Sequence, residues 1–181
     1  LINFLLGFEQ HLPGFIEAYG MWVYALLFMI IFAETAFIAM FFLPGDSLLL
    51  SVGALCASVD FMHLDFMIML LFAAATLGYI VNYHTGKFFG PQITSVKSRF
   101  IKPEHLARTN RYFVRHGGKT ILMARFIPFV RSVAPFAAGA NQMNYPMFLL
   151  YNLLGGLFWI GLLLGLGYFA GSTIFLINEI T

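Results

Sequence analysis

From Phe66 to Phe89 and from Tyr145 to Gly171 the chain stays apolar for longer than the roughly 20 residues a helix needs to cross a bilayer core. Of its 181 residues 60% are hydrophobic and only 10% are charged, more apolar surface than a soluble core of this length can bury. The chain therefore reads as one all-α integral membrane domain. Two further apolar stretches differ in kind. Residues 20–43 are apolar except for Glu34 and Thr35. Pro44, Gly45, Asp46 and Ser47 then interrupt before a second run, 48–59, that is too short to span. Residues 120–142 carry Arg125 and Arg131 and are interrupted by Pro128 and Pro135.

Backbone irregularity at membrane depth is tolerated only where protein or a wet cavity covers the freed polar groups. The two interrupted stretches are thus expected to be re-entrant, broken helical hairpins, turning at Pro44 and Gly45 and at Pro128 and Pro135. The expected order is an interfacial helix (1–19), a first broken element (20–60), a transmembrane helix (64–89), a cytoplasmic basic segment (90–119), a second broken element (120–142) and a transmembrane helix (145–171). A broken element followed by a spanning helix, twice over, is the pattern of an inverted repeat with its binding site at the breaks.

Several local signals fill in this scheme. Leu5, Phe8, Leu12, Phe15 and Tyr19 recur at helical spacing against Glu9, Gln10 and Glu17, the pattern of an interfacial helix. Because acidic and not basic residues precede residues 20–43, that run reads as a retained segment and not a cleaved signal peptide. Eight of the ten basic residues lie between Lys87 and Lys119, which makes this segment cytoplasmic by the positive-inside rule. Within it Pro103 can open a helix ending at Gly117 and Gly118, with Arg108, Arg111 and Arg115 on one face. That face reads first as a topology signal and second as an attraction for anionic headgroups. Gly78, Asn82 and Gly86 share a face at four-residue spacing, so this face is expected to pack inside the bundle, with Asn82 bonding across helices.

Glu34, Asp46, Arg125 and Arg131 are the ionisable residues set in strongly apolar surroundings, where each costs about 2.5–3.5 kcal/mol unless paired. Their formal charges cancel, which invites pairing. One reading is structural: Glu34 with one arginine and Asp46 with the other lock the two hairpins together. A second is functional, since two guanidinium groups six residues apart around Pro128 offer planar, always-charged donors to a phosphate. A desolvated Glu34 takes up a proton more readily than in water, and doing so would release its arginine for the substrate. Asp46 also fits the N-cap of the run that follows it. Cys56 is the only cysteine, which excludes an intramolecular disulfide framework and a cysteine zinc site, and the five histidines lack ligand spacing. No phosphate loop, Ser-His-Asp set or HExxH is present, so no enzyme, metal or cofactor is expected, and nucleic acid is not an expected partner. A homo-oligomer is left open.

Phe32-Ala33-Glu34-Thr35, Phe42-Leu43-Pro44-Gly45-Asp46-Ser47-Leu48, Gly117-Gly118-Lys119-Thr120 and Ala124-Arg125-Phe126-Ile127-Pro128-Phe129-Val130-Arg131, followed by Pro135 and Ala138-Gly139, resemble the DedA family of bacterial inner-membrane proteins, also called the SNARE-associated or VTT-domain superfamily. The resemblance runs from about Tyr19 to Gly171. It implies a multi-pass protein of the cytoplasmic membrane that moves an anionic lipid, with undecaprenyl phosphate recycling first and phospholipid translocation or scrambling second. It also implies dependence on the proton motive force, re-entrant hairpins, and essential roles for Glu34, Asp46, Arg125 and Arg131. Many relatives carry Gly-Asp where this chain has Gly78-Tyr79, so an acidic residue able to carry protons is missing here. From the residues alone, the competing functions are a non-transporting scaffold acting through the basic segment and a small-cation transporter, which two arginines disfavour.

Overall fold

The computed structural model describes residues 21–40, 44–58, 62–95 and 117–180. Among them every regular element is helical: α1 (Met21–Ala36), a 3-10 turn (Ile38–Met40), α2 (Gly45–Ser58), α3 (Leu64–Ser95), α4 (Gly118–Ala124), α5 (Pro128–Ala140) and α6 (Tyr145–Ile180). The expected interfacial helix lies outside the described residues, as do residues 41–43 and 59–61 and most of the basic segment, 96–116, with its expected helix.

Both long helices run past their expected ends, α3 to Ser95 and α6 to Ile180. Their apolar portions, Leu64–Gly90 and Tyr145–Thr173, are long enough to cross a membrane, yet only 39% of the most apolar part of each is buried in protein. Met69, Phe88, Leu157 and Phe169 are among the large side chains they turn outward. A core helix of a soluble protein would hide such a surface; these helices present it to lipid.

The breaks have local causes. In the first apolar run α1 ends at Ala36, two residues beyond Glu34. There the Thr35 hydroxyl donates back to the Ile31 carbonyl at 2.7 Å and a 3-10 turn follows, a side-chain competition that loosens a helix end. In the second half Pro128 restricts its predecessor to extended backbone, and Ile127 lies at φ −117°, ψ 109°. Pro128 itself takes the first position of α5, where its missing N–H costs nothing. Pro135 departs from expectation, because it sits inside α5 without ending it. It forfeits one backbone bond, to the Arg131 carbonyl, and tight packing of α5 on α3 keeps the helix intact.

α2 packs chiefly on α6 and α5 chiefly on α3, so the short helix after each break leans on the long helix of the other half. The same device closes both contacts. Gly53 of α2 meets the α6 backbone while Gly167 and Gly171 of α6 meet that of α2. Gly139 of α5 meets the α3 backbone while Gly86 and Gly90 of α3 meet Phe136 and Ala140 of α5. A methyl on Gly139 would overlap the Tyr83 carbonyl oxygen, which as backbone cannot swing aside. Gly139→Ala is thus expected to cost about 3 kcal/mol in detergent unfolding. Gly161→Ala, whose added methyl meets nothing within 4 Å, should be neutral or gain up to about 1 kcal/mol from helix propensity.

Two apolar clusters flank the breaks. One joins α1, α2, α3 and α6 through Ile31, Leu49, Leu71 and Ile160, and the other joins α3 to α6 through Tyr83, Ile121, Ala138 and Phe148. The polar residues lie between them.

Candidate functional site

The last turn of α1 supplies Glu34, the first turn of α2 Asp46, the break after α4 Arg125, and the first turn of α5 Arg131. Arg131 brings both carboxylates together: its Nη2 donates to Glu34 Oε1 and its Nη1 to Asp46 Oδ1 at 2.5 Å. Glu34 reaches this position because Gly45 has no side chain, since a methyl there would overlap its carboxylate. Its side chain is fully buried and that of Arg131 nearly so, whereas the Asp46 side chain is 42% exposed and forms the open side of the cluster. Asp46 is held from behind by Trp159, whose Nε1 donates to Oδ1 at 3.2 Å and whose ring lies 5.2 Å from the Arg131 guanidinium.

This pairing differs from the expected one acid per arginine, because both acids hold Arg131. The expected N-cap role of Asp46 gives way too: α2 starts at Gly45, and the carboxylate faces Arg131 and Trp159 from within the first turn. Arg125 is buried with no carboxylate paired to it among the described residues. Its Nη2 donates to Asn152 Oδ1 at 2.6 Å and reaches the Ala75 carbonyl at 3.5 Å. Its Nε and Nη1 have no partner among the described residues, and the guanidinium carbon stands 3.9 Å from the centre of the Tyr79 ring. A cation over an aromatic face gains up to about 2 kcal/mol when desolvated, less than its burial costs.

α3 carries the face that organises these groups. Gly78 lets Thr35 of α1 pack directly on it, Gly86 admits α5, and between them Asn82 Nδ2 donates to the Thr35 carbonyl at 3.1 Å and the Ser132 carbonyl at 2.9 Å. One amide thereby ties the end of α1 to the start of α5. Asn82→Ala leaves both carbonyls buried without that donor, and a loss of about 2 kcal/mol in chemical unfolding is expected. Pro44 and Gly45 stand at the start of α2, Pro128 opens α5, and Pro135 is buried within it.

Tyr79, Asn152 and Trp159 were not legible as site residues, although two left a trace. An asparagine in an apolar run and a tryptophan away from the ends of a span, where such rings usually anchor at the interface, are both departures that call for an internal partner.

The family description "VTT domain" matches residues 43–169. The chain is 42% identical over 174 residues to Protein DedA of Escherichia coli (strain K12), covering 95% of this chain and 80% of that protein. It is 39% identical over 152 residues to the inner membrane protein YqjA of the same organism, covering 83% and 69%. To the inner membrane protein YghB of Salmonella typhimurium it is 38% identical over 148 residues, covering 81% and 67%. No solved structure matches the chain.

Proposed function

The chain belongs to the VTT-domain, or DedA, family, and we propose that this member is a carrier for an anionic membrane lipid, undecaprenyl phosphate first and a phospholipid second, in the bacterial inner membrane. One observation carries the reading. Two buried guanidinium groups stand at the helix breaks, and among the described residues only one of them has acids to neutralise it. A phosphate supplies the missing negative charge and, with its several oxygens, the missing acceptors.

In this reading the two breaks are the tips of re-entrant hairpins. The crossed packing of α2 on α6 and α5 on α3, each sealed by one glycine from the short helix and two from the long one, supports an inverted repeat. Such a frame allows the site to face either side in turn. Glu34 and Asp46 compete with the lipid for Arg131. Protonating Glu34 would loosen its hold on that arginine, which gives a route by which protons drive phosphate binding.

Native mass spectrometry of the detergent-purified protein tests this, using a polyprenyl phosphate and a common phospholipid on wild type, Arg125→Ala and Arg131→Lys. Selective retention of the polyprenyl phosphate, abolished in Arg125→Ala and weakened in Arg131→Lys, is the expected result. Equal retention by all three proteins would mean that the arginines serve the fold alone.

A further inference from the structure

We propose that the Arg125 half of the site is a discrete seat for a terminal phosphate monoester, completed by the hydroxyls of Tyr79 and Thr76 and positioned by Asn152. This rests on the lipid-phosphate reading and goes beyond it, because it separates the two arginines and selects a headgroup.

Three N–H bonds of Arg125, on Nε and Nη1, have no acceptor among the described residues. Two hydroxyls, Tyr79 Oη and Thr76 Oγ1, are buried and equally without a partner. Thr76 and Tyr79 are three residues apart on α3 and so share a face. Arg125 lies over that face, its guanidinium carbon 3.9 Å from the centre of the Tyr79 ring and its Nη2 reaching the Ala75 carbonyl. Buried polar groups are ordinarily satisfied, and a cluster with more donors than acceptors is what an acceptor-only ligand completes. A phosphate monoester dianion is such a ligand.

Asn152 is the positioning residue. Its Oδ1 accepts from Arg125 at 2.6 Å and its Nδ2 donates to the Thr76 carbonyl at 3.2 Å, which fixes the amide and holds the guanidinium over the Tyr79 ring. Gly155 and Gly156 face Arg125 on the other side, and a methyl on either would come within 3.4 Å of it. The seat also excludes. An ammonium-bearing phosphodiester headgroup would bring a second cation beside Arg125, with Glu34 and Asp46 already engaged by Arg131. Polyprenyl phosphate and phosphatidic acid share the favoured chemistry, and phosphatidylethanolamine does not.

The experiment compares retention of these three lipids by the full chain in detergent, using native mass spectrometry on wild type, Tyr79→Phe, Asn152→Asp and Arg125→Ala. Tyr79→Phe removes a hydroxyl that bonds nothing among the described residues. It should lower retention of both monoesters about tenfold and leave phosphatidylethanolamine unchanged. Asn152→Asp gives Arg125 a resident anion, so monoester retention should be lost while the unfolding temperature holds or rises. Retention of only one of the two monoesters by wild type would identify the lipid source within the same chemistry. Wild-type retention by Tyr79→Phe overturns the seat, as does a stable Asn152→Asp that still holds the monoesters. If Asn152→Asp does not fold, Tyr79→Phe decides alone. When Tyr79→Phe binds normally but Arg125→Ala does not, the seat fails and the carrier reading stands. Normal binding by Arg125→Ala ends both.

Discussion

Arg131→Ala is expected to destabilise the protein by about 3–5 kcal/mol, the largest effect of any single substitution in the polar cluster. The substitution leaves Glu34, fully buried, and Asp46 facing each other without the guanidinium that holds both. Two carboxylates gathered on one guanidinium repel once it is gone, and neither has another cation paired to it among the described residues. Detergent unfolding by heat and by denaturant reads the loss. The triple variant Arg131→Met, Glu34→Gln, Asp46→Asn removes the charges together and should recover most of the stability, because exchanging a whole buried ion network for neutral groups of similar volume is often close to neutral. A single-variant loss below about 1 kcal/mol would mean that the three groups are far better solvated than their burial implies.

Arg125→Met should behave in the opposite way, with polyprenyl phosphate retention falling about a hundredfold and stability staying within about 1–2 kcal/mol of wild type. Methionine fills much of the same space. It removes a buried cation that lacks a carboxylate partner, which favours the folded state, and it strands Asn152 Oδ1, which costs about 1–3 kcal/mol and offsets that gain. Parallel native mass spectrometry and thermal unfolding separate the two quantities. Several kcal/mol of lost stability would show that Arg125 has a counter-charge, and intact lipid retention would remove Arg125 from the binding site.

In the sequence the two arginines look alike. Each sits in an apolar stretch within three residues of Pro128, and each can be paired on paper with one acid. Arg131 reaches Glu34 across 97 positions and Asp46 across 85. No local pattern encodes a choice between pairings that neutralise equally well. The choice depends on where the end of α1 falls, and that in turn depends on the Thr35 hydroxyl and on the absence of a side chain at Gly45. Tyr79 and Asn152 were hidden for a related reason. Their role arises from stacking and hydrogen bonding across α3, α6 and the break, and none of those contacts has a sequence period.

By itself the sequence determined what is local or additive. Length and apolarity set the two spanning helices, and Pro128 set the break before α5 through its steric effect on Ile127. The charge asymmetry marked the basic segment, and the cost of ionised groups in an apolar setting singled out Glu34, Asp46, Arg125 and Arg131. Tertiary structure alone decided that Pro135 would be carried inside a helix, that both acids would hold Arg131, and that Arg125 would be left with a tyrosine face and an asparagine. Helix propensity and desolvation act on each residue where it stands. Charge pairing and satisfaction of buried donors depend on which helices approach, and that approach is settled by glycines many turns apart in the chain.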